Sequence, residues 1–422
     1  MKGRNAVFLM MAVFAVCWFA SMRLYWDVYE SGIRGSDFSS YYTAGLLVRE
    51  GRAGALYDVA PGDSILGDAT GGPWAEAGAA AGVPTQHYYI YPPAFALLFV
   101  PLSLVSFTTA MNLWLVLDVV LLGLFGALYA KSRGGDFTAP EAAFMVVTCF
   151  FEFLPLIWAM AIGQTSLLVL ALLAGVLLAW RRGSDLTAGT LLGLAVALKL
   201  TPALLTIFFF WRGRRRIAWS SAMVFALVQA VSIAFLGWGV HWQFYARIVP
   251  EMSGGTAYFL NQSLGAFFNR LLTTADVTQV ELVASPLSKA LATAVFVALA
   301  LLSARALRRE TRDVPLGDEI QFGCVLLLTL LASPISWVHH YLLALPALYA
   351  VVGNLGRRGE AKPAKALLAG IAFLLIARKP HPDLFLHGAL RILNSGALAG
   401  ALILWGLSLA ALKGSPRPGE AA

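Results

Sequence analysis

Apolar residues run in blocks along this chain instead of alternating with polar ones. The blocks are roughly 15 to 25 residues long, the length a helix needs to cross a hydrocarbon layer ~30 Å thick. They predict helices over about 5–26, 107–130, 140–160, 165–180, 186–198, 200–211, 216–237, 286–305, 319–332, 338–353, 366–379 and 391–412. Several of these are too short to span a bilayer alone. YPPAFALLFVPLSLV, Tyr91 to Val105, is short and interrupted by Pro101, so it reads as a re-entrant or thin span. Broken helices are tolerated in a membrane where they line a protein-enclosed cavity. The expectation is an all-α polytopic membrane protein of roughly 11–13 transmembrane or re-entrant helices. It forms one domain over 1–412, followed by a disordered cytoplasmic tail at 413–422. No internal repeat is evident, which weighs against an inverted-repeat transporter.

Composition agrees with that pattern. Of 422 residues, 59% are hydrophobic and 13% charged, about half the charged share of a soluble domain. Cys17, Cys149 and Cys324 all lie inside apolar blocks, where they read as small core residues instead of disulfide or zinc ligands. Lys2 and Arg4 precede the first block as they would in a signal peptide. That block continues to Trp26, however, and AVFAVC makes a poor cleavage or lipobox sequence, so an uncleaved first helix with a cytoplasmic N-terminus is expected.

Charge then assigns sides. The net charge of +8 is concentrated: twenty of the 31 Lys/Arg fall in short tracts between blocks or at the ends, among them Arg181/Arg182, Arg212 to Arg216 and Arg357 to Lys365. This is the positive-inside signal of a membrane protein and not a phosphate-binding face for nucleic acid. The remaining connections face outward. They include a first outer loop at 27–91 and a second large one at 239–285. The first holds eight acidic residues against Arg34, Arg49 and Arg52. Arg378 and Lys379, in the last outer turn, break the rule.

Polar clusters recur at the outer helix ends. They are Asp37 with Tyr41 and Tyr42, then Tyr91-Pro92-Pro93, Gly163-Gln164-Thr165-Ser166 and Lys199-Leu200-Thr201-Pro202. Asn261-Gln262-Ser263 with Arg270, and Ser336-Trp337 with His339-His340, complete the set. All fall on one side in the charge-derived topology, and one shared outer cavity explains them economically. Each has a plainer reading. Asp37 alone could be a solvated loop acid, and Gln164 could satisfy backbone at a helix break. The two histidines could be interfacial anchors beside Trp337. Asp118, inside an apolar helix, is expected to pair within the bundle. Lys199, between LLGLAVAL and LTPALL, is the strongest functional candidate, because an intramembrane charge needs a snorkelling path or an anion.

SDFSSYYTAGLLVREGRAGALYD, YIYPPAFALLFVPLSLV, GQTSLLVLALL, AGTLLGLAVALKLTPALL, NQSLGAFFNRLL and SPISWVHHYLLALP, taken in order, resemble glycosyltransferase family 87. That family belongs to the multispanning GT-C superfamily and includes polyprenyl-phosphate-mannose-dependent α-1,2-mannosyltransferases. Each motif is weak alone; six in sequence, from Asp37 to Pro346, are specific. The resemblance implies an extracytoplasmic active site at a bacterial-type inner or plasma membrane and a polyprenyl-phosphate-sugar donor. It also implies a glycolipid or glycan acceptor and a catalytic aspartate in the first outer loop, which falls on Asp37.

Chemistry is consistent with that implication. A lipid phosphate is a good anionic leaving group, so one displacement with inversion needs a general base for the acceptor hydroxyl and cations for the phosphate. Asp37 would be the base, with Lys199, Arg270, His339 and His340 as donor-phosphate ligands. Tyr41, Tyr42, Tyr91, Gln164, Asn261, Gln262 and Trp337 are the candidates for sugar and acceptor contacts. Retention would require a second carboxylate close by, and none is evident. No acidic neighbour flanks Asp37, so neither metal nor other cofactor is expected, and nothing resembles a nucleotide-binding loop. The stretch Pro61 to His87, rich in Gly and Ala, is where acceptor selection is expected. A lipid or polysaccharide transporter with a similar cavity is the alternative function, and a non-catalytic assembly partner a third.

Overall fold

The computed structural model describes residues 34–413 apart from 85, 135–136, 151–152, 284, 309–310, 312–313, 358–362, 379–384 and 386–387. The predicted helix at 5–26, Cys17 and the tail beyond Lys413 lie outside the described residues. The longer elements are α1 (Ser36–Arg49), α2 (Gly72–Ala80), α3 (Phe107–Ser132), α4 (Ala139–Phe150) and α5 (Leu154–Ala161). They continue with α6 (Ser166–Arg181), α7 (Asp185–Leu198), α8 (Ala203–Trp211), α9 (Arg215–Leu236) and α10 (Leu264–Leu272). The last are α11 (Pro286–Arg308), α12 (Gly317–Ala332), α13 (Leu345–Arg357), α14 (Pro363–Ala377) and α15 (Gly396–Leu412), with short helical turns between.

The α3 helix shows how the pattern becomes a span. Ser106 caps it, its side chain accepting from the Thr109 amide. Phe107, Met111, Trp114, Asp118, Leu121, Phe125 and Tyr129 then recur every three or four residues and are buried. The opposite face, Leu113, Val116, Val120 and Leu124, is exposed and just as apolar. In water such a stripe would be a liability, whereas in a bilayer it meets acyl chains. Trp219, Met223, Leu227 and Phe235 make a similar exposed stripe along α9, and Leu287, Val297, Leu301 and Leu302 expose apolar surface along α11. Among the described residues four helical segments are long and apolar enough to cross a membrane: Phe107–Ser132, Arg215–Leu236, Pro286–Arg308 and Val338–Arg357. The last is buried along nearly its whole length. The protein is an integral membrane protein.

Three predicted elements differ in detail. The single helix expected over 140–160 is two, α4 and α5, with Pro155 in the first turn of α5, where its missing N–H costs nothing. The helix expected from 338 begins as a 3-10 turn, Val338–Ala344. The long outer segment is folded. The α1 helix packs against the broken segment Pro93–Leu104, and Asp63 ties the following stretch by accepting from the Tyr88 hydroxyl at 2.6 Å and from Thr70 at 2.8 Å.

The two ends of the bundle differ in charge chemistry. At the basic end Arg133 and Arg357 converge on Glu141, at 2.6 and 2.5 Å, and Arg212 pairs with Asp318 at 2.8 Å. Arg181 and Glu319 also pair there. Positive side chains at helix C-terminal ends therefore find carboxylates within the protein at that end. Asp118, expected to pair inside the bundle, is fully buried, and neither of its oxygens has a hydrogen-bond partner among the described residues.

Candidate functional site

Asp37 sits in the first turn of α1, where the exposed N–H groups of a helix favour negative charge. Those amides need acceptors, and the end of α5 supplies them. The Asp37 and Phe38 amides donate to the Ile162 carbonyl at 3.1 and 3.0 Å, and the Gly35 amide to Ala161 at 2.9 Å. The chain must then turn sharply. Gly163 does so at φ 71°, and a methyl added there would lie 2.6 Å from Phe38 Cβ. The next residue, Gln164, returns its side chain to the acid: its amide nitrogen donates to Asp37 Oδ2 at 2.5 Å and to the Tyr91 hydroxyl at 2.8 Å. The Tyr41 hydroxyl also donates to Tyr91, at 2.8 Å. Asp37 keeps part of its surface exposed, while Gln164 is fully buried. Burial pushes the Asp37 carboxyl above the usual carboxylate range, opposed by the nearby charges of His87 and Lys199 and by the Gln164 hydrogen bond.

Lys199 caps the C-terminal end of α7 with extended backbone (φ −150°, ψ 123°), and Pro202 three residues on prevents the helix from continuing. Its ammonium donates to His340 Nε2 at 2.8 Å and lies 5.7 Å from the centre of the Tyr91 ring. Lys199, His340, Ser166 and Thr201 line one small cavity together with Ser333 and Ser336. The Ser166 and Thr201 hydroxyls are buried and have no hydrogen-bond partner among the described residues. Two unpartnered donors beside an ammonium make a chemically coherent anion site.

The 3-10 turn carrying the histidines is held by the second outer segment. The Gln262 amide donates to Ser336 O at 2.7 Å, the Val338 amide to Leu260 O at 3.1 Å, and Asn261 forms an isolated bridge with Trp337. The rings of His339 and His340 stand perpendicular, with centres 4.5 Å apart. Only His340 of the two is hydrogen-bonded to Lys199.

Other expected site residues have different partners. Arg270 is buried, and its guanidinium donates to the carbonyls of Ala257, Tyr258 and Asn261 and to the Ser395 hydroxyl, at 2.9 to 3.2 Å. Asn261 donates to Pro334 O and accepts from the Ser336 amide. Gln262 donates to Phe259 O and Asn394 O and accepts from the Ala397 amide. These three latch the outer segment, and none contacts Asp37, Lys199 or His340 through the hydrogen bonds described. The Tyr42 hydroxyl donates to Val105 O at 2.8 Å, joining α1 to the broken segment. Trp337 stays partly exposed, 6.0 Å from the Tyr258 ring. Sequence reasoning missed His87, a lone imidazole in a polar stretch that nothing local singles out, and it left the hydroxyls of Ser166 and Thr201 without a role. Among the described residues no three His, Cys, Asp or Glu gather closely enough to hold a metal ion.

At one end of this helical membrane bundle a carboxylate and a half-buried ammonium are joined through aromatic and amide groups, an arrangement suited to a membrane enzyme. Its family follows from comparison with known proteins: residues 89–334 match the model of glycosyltransferase family 87. The chain belongs to that family and is a membrane glycosyltransferase. Over 302 residues it is 28% identical to a polyprenol-phosphate-mannose-dependent alpha-(1-2)-phosphatidylinositol mannoside mannosyltransferase of Mycobacterium tuberculosis, covering 68% of this chain and 67% of that one. It is 31% identical over 276 residues to the corresponding pentamannoside mannosyltransferase of M. tuberculosis, covering 64% of this chain and 59% of that one. A Mycolicibacterium smegmatis mannosyltransferase is 30% identical over 190 residues, 44% of this chain and 41% of its own. The family match begins after Asp37 and ends before His339, so the roles of Asp37 and His340 rest on geometry.

Proposed function

We propose that this protein transfers mannose from a polyprenyl-phosphate-mannose donor to a glycolipid acceptor, with inversion at the anomeric carbon. The observation that carries the reading is the single polar network in which Gln164 and Tyr91 connect Asp37 to Lys199 and His340. Lys199, with the Ser166 and Thr201 hydroxyls, holds the donor phosphate as it departs. Asp37 accepts the proton of the attacking hydroxyl, and its raised basicity suits that task. The single carboxylate favours one direct displacement over a covalent intermediate. Tyr91 and Tyr41 position the acid, and the rim of 61–87 selects the acceptor.

The α3 helix supports a reading of sidedness. Its start abuts the Asp37 turn, since a methyl at Gly35 would lie 3.3 Å from Met111 Sδ, and its other end carries Arg133. At 1.5 Å per residue, Met111 and Arg133 are about 33 Å apart, enough to separate two faces of a bilayer. With the basic ring in the cytoplasm, transfer takes place on the extracytoplasmic face.

The test is transfer from polyprenyl-phosphate-mannose to glycolipid by purified protein in nanodiscs, with no gradient applied. Asp37→Asn keeps the size of the side chain and removes its basicity. Turnover should fall by ~10² or more while donor binding persists. Wild-type turnover from that variant would sink the assignment of the base, and wild-type protein without any transfer would sink the function.

A further inference from the structure

The C-terminal end of α9 carries an aromatic face that the site does not use. The helix stops at Gly237, whose backbone (φ 84°, ψ 155°) lies where residues other than glycine are strained. Three helical segments then follow without a gap: Trp238–Gln243, a π turn over Phe244–Ile248, and Val249–Met252. This run folds back across the end of α9. His241 Nδ1 donates to Gly237 O at 2.9 Å, and its Nε2 lies 3.0 Å from Ser232 Oγ. On an unbroken helix His241 and Ser232 would be about 13 Å apart along the axis, so their pairing needs the turn. Just past the run, Lys289 Nζ donates to Ser253 Oγ at 2.8 Å. Val240, Phe244 and Ile248 are buried in the aromatic cluster of the first outer segment. The Phe244 ring lies 5.8 Å from that of Tyr57, and the Tyr57 hydroxyl donates to Tyr91 O at 2.6 Å. The opposite face is bare. Trp238 and Trp242 are 63% and 61% exposed and Tyr245 38%, at the i, i+4, i+7 spacing of one helix face. The two indoles lie 6.4 Å apart. Phe235, also exposed, brings the acyl-facing stripe of α9 up to this patch. An apolar stripe that gives way to Trp and Tyr marks the depth where acyl chains meet headgroups, because these rings join an apolar body to a polar N–H or O–H.

We propose that Trp238, Trp242 and Tyr245 rest in the headgroup layer of the outer leaflet and hold the first outer segment there, so that the acceptor enters sideways from the bilayer. The proposal deepens the reading of a glycolipid acceptor and of an extracytoplasmic site, and rests on both. Its partner is the lipid surface itself. Tyr57 sits between Phe244 and Tyr91, and the Tyr91 hydroxyl accepts from Gln164. The depth of the aromatic patch therefore fixes the height of that polar network relative to the headgroups. A glycolipid presents its hydroxyl at that height without leaving the leaflet. A soluble acceptor gains nothing from the patch.

The experiment compares full-length wild type with Trp238→Ser/Trp242→Ser in nanodiscs at saturating donor. The acceptors are a dipalmitoyl mannolipid in the disc and methyl α-mannoside in solution. KM for the mannolipid should rise about tenfold, part of the effective concentration that confinement to one surface supplies. Its kcat, and KM for methyl α-mannoside, should hold. Trp219→Ser, near the opposite end of α9, should leave both KM values alone. Seating is read without turnover, from the fluorescence that the double variant loses: phospholipids brominated near the headgroup should quench it and aqueous acrylamide should not. Quenching by acrylamide alone overturns the membrane contact. Quenching by neither means that protein covers the rings, which overturns it too. If the double variant does not fold, Trp242→Ser alone is read by the same criteria. An unchanged KM for the mannolipid, or equal losses with both acceptors, overturns capture from the bilayer while leaving the transfer reaction intact. Wild type that transfers to neither acceptor overturns the proposed function and the capture with it, and the quenching still decides the seating.

Discussion

Gly163 and Gly51 have nearly the same backbone angle, φ 71° and 72°, in different surroundings. Replacing each with alanine separates two energies. At Gly51 an added methyl meets nothing within 4 Å, so the cost is the left-handed backbone alone, about 1 kcal/mol. At Gly163 the methyl would lie 2.6 Å from Phe38 Cβ and 3.1 Å from Met111 Sδ. Neither neighbour can yield freely: Phe38 is fully buried among Phe99, Phe107 and Trp114, and overpacking of that kind adds about 1–3 kcal/mol. Gly163→Ala should therefore cost about 2–4 kcal/mol in all. The strain falls between Gln164 and the first turn of α1, the two parts that hold Asp37. A displacement near 1 Å in a reacting group can cost ~10²-fold in rate, so Gly163→Ala should lose most of its turnover. Gly51→Ala should stay within about twofold of wild type, as expected for a surface change. Thermal midpoints by tryptophan fluorescence in detergent, together with mannosyl transfer, read both quantities. Equal midpoints and equal turnover for the two variants would refute the reasoning, because only the packing differs.

Three further outcomes are expected. Lys199→Met should weaken binding of polyprenyl-phosphate-mannose, read by competition, far more than it lowers the thermal midpoint; unchanged affinity with a collapsed midpoint would make the lysine structural. His340→Ala should lose most transfer and His339→Ala should retain it, because only His340 contacts Lys199 among the hydrogen bonds described; equal losses would point to a ligand shared by the pair. The acid limb of the pH profile of kcat/KM should lie above 3.8, the ordinary value for aspartate, because burial raises the Asp37 carboxyl. Activity requires the deprotonated base and so is lost as pH falls through that raised value. The limb should move higher still in Gln164→Met, which removes a hydrogen bond that favours the ionised form; a limb that stays in place would remove Gln164 from the support of the acid.

How much of this could be read from the chain depends on whether the deciding contact is local. The spans were legible because bilayer thickness imposes length and hydrophobicity on each one separately. Asp37, Lys199 and the histidines stood out because polar groups in so apolar a chain need partners. What those partners are was not legible. Gln164 and Asp37 are 127 positions apart, and without that contact the glutamine reads equally as a sugar ligand or a backbone filler. Tyr41 and Tyr42 looked equivalent while their stretch read as loop. Once α1 forms, neighbours point about 100° apart, so one hydroxyl reaches Tyr91 and the other the Val105 carbonyl. Arg270 is the sharpest case. A buried guanidinium on the outer side invites a phosphate, yet an irregular segment also leaves carbonyls that nothing in a ladder satisfies. Arginine, with five N–H donors and no acceptor, meets that need better than any other side chain. Three carbonyls of the outer segment and a serine from the approach to α15 converge on it. The same property that makes arginine a phosphate ligand thus makes it a backbone clamp. Lysine, a point charge with fewer donors, is better suited to a compact anion pocket, and the structure places Lys199, not Arg270, beside unpartnered hydroxyls.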